Sequence, residues 1–307
     1  MLTRPDGVYT VGVARRARPS DPYALEDAAA HAERLARSVR GAREVDAAAA
    51  RGRAAADATR DALDACARDD AFASVDEVVV TAFVDWDDAD GDRSDAVEVL
   101  VTARGREAGA SDAASARVGV YVDVERATER SPRSPWDVKY TAWIREREPY
   151  ERALASWNAA NPSERCAECV TTRVVARDDG ERDHEILEGL TTNFIVVANG
   201  TTSSPRAHRA MEGVLRGATS ERLAAALRAL APAAADDAIG APDPAATVSD
   251  LLSGAYDAAF LTNAVRSVVP IDFAVVRDAA GVVARVDFPA TRALLRRLRA
   301  TSDRPDA

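Results

Sequence analysis

One lysine stands alone in this sequence. Of its 40 Lys and Arg residues, 39 are Arg and a single one, Lys139, is Lys. Solvated positions accept either cation, so a bias this strong should have removed every replaceable Lys. A guanidinium stays protonated and is a poor nucleophile, whereas a primary amine condenses with an aldehyde. Lys139 is therefore the first candidate for covalent chemistry. A second candidate is the run Glu188-Gly189-Leu190-Thr191-Thr192-Asn193. It reads as a strand delivering a carboxylate, a tight bend of small residues, and a second strand leaving from Asn193.

The stretch His184 to Ile195 resembles the E-G-x-x-[ST]-N-x-[FI] signature of fold-type IV (class IV) pyridoxal-phosphate enzymes. That family includes branched-chain aminotransferases, D-amino acid aminotransferases and aminodeoxychorismate lyases. Four other segments follow the family's order. His31-Ala-Glu-Arg34-Leu35-Ala-Arg-Ser38 is similar to its H-x-x-R-L-x-x-S helix, whose Arg grips the cofactor phosphate; an Arg fork suits a phosphate dianion. Asp137-Val138-Lys139-Tyr140 falls where the family carries its Schiff-base Lys. Gly213-Val214-Leu215-Arg216 resembles a bend that opens a helix and offers N–H groups to the phosphate. Thr262-Asn263-Ala264 resembles a late strand-turn segment that also meets the phosphate, and its Asn-Ala pair is closer to the lyase branch.

The resemblance implies an α+β fold of two domains: a small N-terminal α/β sandwich domain over residues 1–128 and a larger, barrel-like α/β domain over 129–307. It implies pyridoxal 5'-phosphate as cofactor, and an aminotransferase acting on an amino acid and a 2-oxo acid through a Lys139 Schiff base. Lys139 and Glu188 are the expected catalytic pair, Glu188 facing the pyridine nitrogen. Arg34, Lys139, Glu188, Thr191, Thr192, Asn193, Val214, Leu215, Thr262, Asn263 and Ala264 are the expected cofactor contacts. The two threonines would orient Glu188 or touch the ring and phosphate, or merely form the bend. An aminodeoxychorismate-type lyase is the alternative activity, and a fold retained with little turnover is a third. A homodimer is expected, with a small amino-substituted molecule as substrate and no metal.

Three departures mark a divergent subgroup. Tyr140 to Ile144 lacks the Asn that usually follows the Lys. The span from Lys139 to Glu188 is long, which suggests an insertion at 157–165. No residue matches the known substrate-carboxylate ligands. Arg145, Arg147 and Arg104 are weak candidates for that role and read better as solvated cations. His184 and His208 match no role.

The elements that must position these groups are readable in outline. Two alanine-rich helices are expected within 22–68, then strands over 75–84, 96–103 and 116–124. Helix is expected over 140–157, interrupted at Pro149. Strands follow at 169–176, 184–187, 193–198, 257–262 and 268–276, the last in a hairpin with 282–286. Helices are expected over 220–230 and 289–300.

The chain has 307 residues, 47% apolar and 29% charged, which describes a folded protein. Its formal charge of −10 argues against nucleic acid or an anionic membrane surface as partner. No apolar run is long enough to span a bilayer, and residues 1–20 lack the apolar core of a signal peptide. A cytoplasmic or organelle-matrix location is expected. Cys66, Cys166 and Cys169 are too few for a disulfide scaffold, and the Cys166-x-x-Cys169 pair lacks the partners of a zinc site. Two ordinary structural thiols are expected there, with a redox pair as the alternative.

Overall fold

The computed structural model describes residues 7–18, 20–26, 28–43, 48–85, 99–105, 117–129, 140–177, 180–198, 201–203, 246–263, 265, 267–278, 280–281 and 283–302. Lys139, Val214, Leu215, Ala264, His208 and the helix expected over 220–230 lie outside them. The chain forms two compact units. The first comprises 1–116, 135–146 and 213–217, and the second the remainder.

The first unit is built on an antiparallel sheet. β1 (Gly7–Arg15) lies between β2 (Ala24–Leu25) and β3 (Glu77–Asp85), and β4 (Val99–Gly105) pairs on the far side of β3. No element is expected over 7–15 from sequence. Its run of strand formers, Val8, Tyr9, Thr10, Val11 and Val13, is the signal that could have found β1. α1 (Ala28–Arg43) and α2 (Ala48–Arg68) pack on this sheet. Period 2 in the strands meets period 3.6 in the helices: Val8, Ala82 and Val84 pack with Leu35, Val39 and Ala55, while Ala14, Val78 and Val80 pack with Leu63. Arg16 is buried and bridges the carbonyls of Phe72 and Ala73 at 2.8 and 2.7 Å, tying the turn after α2 to β1.

The segment 140–146 belongs to this unit. Thr141 N–H donates to Gly7 O at 2.9 Å, and Gly7 N–H donates to Thr141 Oγ1 at 3.1 Å. Tyr140, the residue after Lys139, packs against the cluster that contains Leu35, the residue after Arg34. Helix is formed over α3 (Ala142–Glu146) and α4 (Glu148–Ala160), and Pro149 starts α4 where its missing N–H is not needed.

The second unit holds two sheets. The mixed sheet has the order β13-β12-β5-β6-β7, with β5 (Gly119–Thr128), β6 (Cys166–Ala176), β7 (Arg182–Gly189), β12 (Phe273–Arg277) and β13 (Val283–Asp287). β5 is its middle strand, parallel to both neighbours. It therefore joins this unit, although all of it falls before the boundary expected at 128. The antiparallel sheet has the order β11-β10-β8-β9, with β8 (Asn193–Ala198), β9 (Thr201–Ser203), β10 (Ala258–Asn263) and β11 (Ser267–Ile271). Phe194, Val196, Ala259 and Leu261 face a core shared with Val120, Val122, Val170, Ile186 and Val276 of the mixed sheet. Their alternates Ile195, Val197, Ala258 and Phe260 face α6 (Thr291–Ser302), through Leu294 and Leu295. Burial on both faces is why β8 and β10 read as unbroken apolar runs. α5 (Val248–Leu252) adds Val248 and Leu251 to the shared core, an element absent from the sequence expectations.

The single strand expected over 268–276 is two, and Asp272 makes the break. Asp272 Oδ2 accepts from Val118 N–H at 2.8 Å, and its Oδ1 and Oδ2 accept from Arg292 at 2.5 and 2.7 Å. The chain leaves the antiparallel sheet as β11 and enters the mixed sheet as β12 across this one residue. Burial would raise the Asp272 carboxyl, but the hydrogen bonds from Arg292 and Val118 outweigh it and hold it below the usual range.

Candidate active site

The 188–195 motif is the corner where β7 ends and β8 begins. Glu188 is buried, and its main-chain oxygen accepts from Thr171 Oγ1 at 3.0 Å. Gly189 is held against Val170 of β6, and Leu190 N–H donates to Cys169 O at 3.2 Å. A side chain at Gly189 would force Thr192 or Glu168 to move. A Cβ there would stand 2.3 Å from Thr192 Oγ1 and 2.7 Å from Glu168 Cγ. The Gly that follows the Glu is thus demanded by space rather than by dihedral freedom.

The hydroxyls of both threonines go to a residue that the motif does not contain. Thr191 Oγ1 donates to Glu168 Oε2 at 2.8 Å, and Thr192 Oγ1 to the same oxygen at 3.2 Å. Glu168 lies on β6 and is 5% exposed. Its only sequence signal is a carboxylate inside the otherwise uncharged run Cys166-Ala-Glu-Cys-Val-Thr-Thr172. One charge in a strand ordinarily marks a solvent face, so the sequence reading does not single it out.

The late block is brought to the same corner by strand register. Asn193 pairs with Thr262, and Asn193 Nδ2 donates to Thr262 O at 3.0 Å. Asn263 Nδ2 donates to Thr191 O at 3.4 Å, and Asn263 Oδ1 accepts from Val265 N–H at 3.0 Å. The structure thus brings the 188–193 bend together with Thr262 and Asn263, about 70 positions later in the sequence. Two atoms here have no hydrogen-bond partner among the described residues: Asn193 Oδ1 and Thr262 Oγ1, on residues 3% and 6% exposed. Buried polar atoms left without partners are costly, so this corner fits a polar ligand able to satisfy them. The Thr262 hydroxyl can donate to an anionic oxygen, and pyridoxal phosphate carries such oxygens on its ring and its phosphate.

In the first unit, α1 presents the expected helix motif on one buried face. His31, Arg34 and Ser38 are 4%, 5% and 0% exposed. Nearly all of the other Arg side chains described are more open, so Arg34 departs from the solvated-helix pattern. His31 Nδ1 bonds Thr10 Oγ1 at 2.8 Å, and a Cβ at Gly12 would stand 2.7 Å from His31 Nε2. That close approach seats α1 on β1. Of the weaker candidates, Arg145 is exposed and Arg147 pairs with Glu151 at 2.8 Å along α4. The backbone of Arg104 pairs with Val79.

The stretch expected to hold an insertion is a tight connection from α4 into β6. Trp157 Nε1 donates to Glu164 O at 3.1 Å, and Cys166 N–H donates to Asn158 Oδ1 at 2.7 Å. Among the described residues no cluster of His, Cys, Asp and Glu could hold a metal ion, and no helix is long and apolar enough to cross a membrane.

Cys166 and Cys169 lie inside β6 as free, buried thiols. Burial pushes the Cys166 thiol up to about 12 and the Cys169 thiol well above its ordinary range. Burial likewise pushes the Tyr150 and Tyr256 phenols up to about 12. All four groups are held neutral in the fold. Their contribution to stability is complete below the unfolded values, about 8.5 for Cys and 10 for Tyr, and is lost as pH rises towards 12. The midpoint of thermal unfolding by circular dichroism should therefore fall steadily between about pH 9 and 12. A flat profile over that range would contradict the burial of these groups.

Comparison with solved structures identifies the architecture. A fold IV-transaminase from Curtobacterium pusillum superposes with a TM-score of 0.56 at 22% identity, covering 98% of this chain and 86% of that one. The fold is that of the fold-type IV aminotransferases. A branched-chain aminotransferase from the thermophilic archaeon Thermoproteus uzoniensis, solved with norvaline, gives 0.51 at 17% identity, covering 95% and 84%. A hypothetical aminotransferase from Mycobacterium tuberculosis in its PLP-bound form gives 0.56 at 15% identity, covering 97% and 90%. No protein-family model and no curated protein matches the chain. The fold-type IV architecture is thus shared along nearly the whole chain while the sequence has diverged, as the departures around Lys139 imply.

Proposed function

We propose that this chain is a pyridoxal-phosphate-dependent aminotransferase acting on an amino acid and a 2-oxo acid. The observation that carries the reading is the sparing of one amine, Lys139, in a chain that otherwise uses only Arg, within a fold-type IV architecture. Asn193 Oδ1 and Thr262 Oγ1, without a partner among the described residues, and buried Glu188 support it independently.

When bound, the cofactor supplies an electron sink for negative charge at the substrate Cα. The roles of the chain's own residues follow from their chemistry. Lys139 Nζ would hold the cofactor aldehyde, and the same amine could take and return a proton as base and acid. Glu188 would face the ring nitrogen, where a carboxylate favours the protonated ring. Arg34 takes the phosphate with its guanidinium fork, joined by main-chain N–H groups of Val214, Leu215 and Ala264. Thr191, Thr192, Asn193, Thr262 and Asn263 complete the binding corner. The working form we propose is a homodimer, in the cytoplasm, with a small amino acid as substrate; sedimentation of the purified protein checks the dimer.

The test is borohydride reduction of the protein incubated with pyridoxal phosphate, followed by peptide mapping. The expected adduct is on Lys139. An adduct confined to the N-terminal amine, or none, sinks the reading. Amino donors are then screened with and without a 2-oxo acid. Transamination consumes the acceptor stoichiometrically, whereas a lyase needs none.

A further inference from the structure

We infer that Glu168 is the positioning residue of the 189–193 bend. Its carboxylate is 5% exposed on β6, and a charge is retained at such depth only where hydrogen bonds repay its lost hydration. Two such bonds come from the bend. A single oxygen, Oε2, accepts from Thr191 and Thr192, consecutive residues whose hydroxyls converge only when the chain turns as it does here. Glu168 Cγ also lies beside Gly189, 2.7 Å from where a Cβ on that residue would stand. An open groove of about 520 Å³ reaches this carboxylate from α4, lined by Leu154, Asn158, Arg165 and Thr191.

One consequence is chemical. A hydroxyl has a single hydrogen, and both threonines spend theirs on Glu168. Neither side chain then has a hydrogen left to donate to a phosphate. Both hydroxyls are spent inside the fold, on the carboxylate that sets their position. The role of Glu168 is thus exerted through the threonines, and its bearing on the cofactor rests on the function proposed above.

The test has two arms on the full-length protein. In the first, hydrogen exchange of the ligand-free chain is followed by mass spectrometry over 187–194. Glu168→Leu should speed exchange of the bend about ten- to a hundredfold, the loss of two hydrogen bonds to a charged acceptor, with the rest of the chain unchanged. Glu168→Gln keeps an acceptor oxygen at the same reach and should stay within about threefold of the parent. In the second arm, the Kd for pyridoxal phosphate should weaken in the Leu variant and recover in the Gln variant. Unchanged exchange in a folded Glu168→Leu protein overturns the inference. Should that variant not fold, the Thr191→Val, Thr192→Val double variant removes the two donors instead; it must reproduce the faster exchange, and failure to do so also overturns the inference. A parent protein that does not bind pyridoxal phosphate refutes the proposed function, while the exchange arm still decides the role of Glu168.

Discussion

Replacing Lys139 by Arg should lower turnover at least about ten-thousandfold, because the guanidinium can neither condense with an aldehyde nor lose a proton near neutrality. The substitution is otherwise the mildest this chain offers, since Arg occupies every other cationic position of its kind. The thermal midpoint should therefore stay within a few degrees of the parent, and the variant should still take up pyridoxal phosphate reversibly. What disappears is the borohydride-stable adduct and the absorption band of the tethered aldehyde. A Lys139→Arg protein that turns over amino acids at the parental rate would remove the chemical basis of the proposed function. The measurement is single-turnover kinetics together with the spectrum before and after reduction, which separates loss of tethering from loss of binding.

The second large effect belongs to Glu188. Glu188→Gln keeps the volume of the side chain and leaves the main-chain bond from Thr171 intact, so the corner between β7 and β8 should fold as before. It removes a negative charge from a residue only 7% exposed, where water screens little. A neutral amide cannot keep a pyridine nitrogen protonated. The expected result is a fall in kcat of about a hundred- to a thousandfold, with KM and cofactor affinity changed only a few fold. An equal fall in binding and in kcat would mean that Glu188 acts as a structural group of the bend. Comparison with the Glu168 variants is informative here. Loss of Glu168 should loosen the bend and weaken binding, whereas loss of Glu188 should leave the bend in place and slow the chemistry.

Much of this site was legible because its signals are local. The single Lys, the Glu188-Gly189 pair and the small residues before Asn193 are statements about composition and spacing. So were α1 and α2, whose apolar residues recur at helical period, and the runs that became β8 and β10. β1 was equally available in its strand formers. Local signals do not say which strands lie side by side. The pairing of Asn193 with Thr262 joins residues about 70 positions apart, and β5 enters the middle of a sheet that begins and ends elsewhere in the chain. The break at Asp272 is of the same kind, since only the N–H of Val118 and the guanidinium of Arg292 give that carboxylate a reason to interrupt an apolar run.

By itself the sequence singled out the candidate groups: one amine, one carboxylate at a bend, and an Arg at helical spacing from a His and a Ser. The tertiary structure alone decided their surroundings. It buried Arg34 on the inner face of α1, kept the two cysteines neutral inside β6, and drew the threonine hydroxyls to Glu168. The physical reason is that residue type fixes a group's intrinsic reactivity. Its charge, hydrogen-bond partners and access to water depend on atoms that only the folded chain brings near.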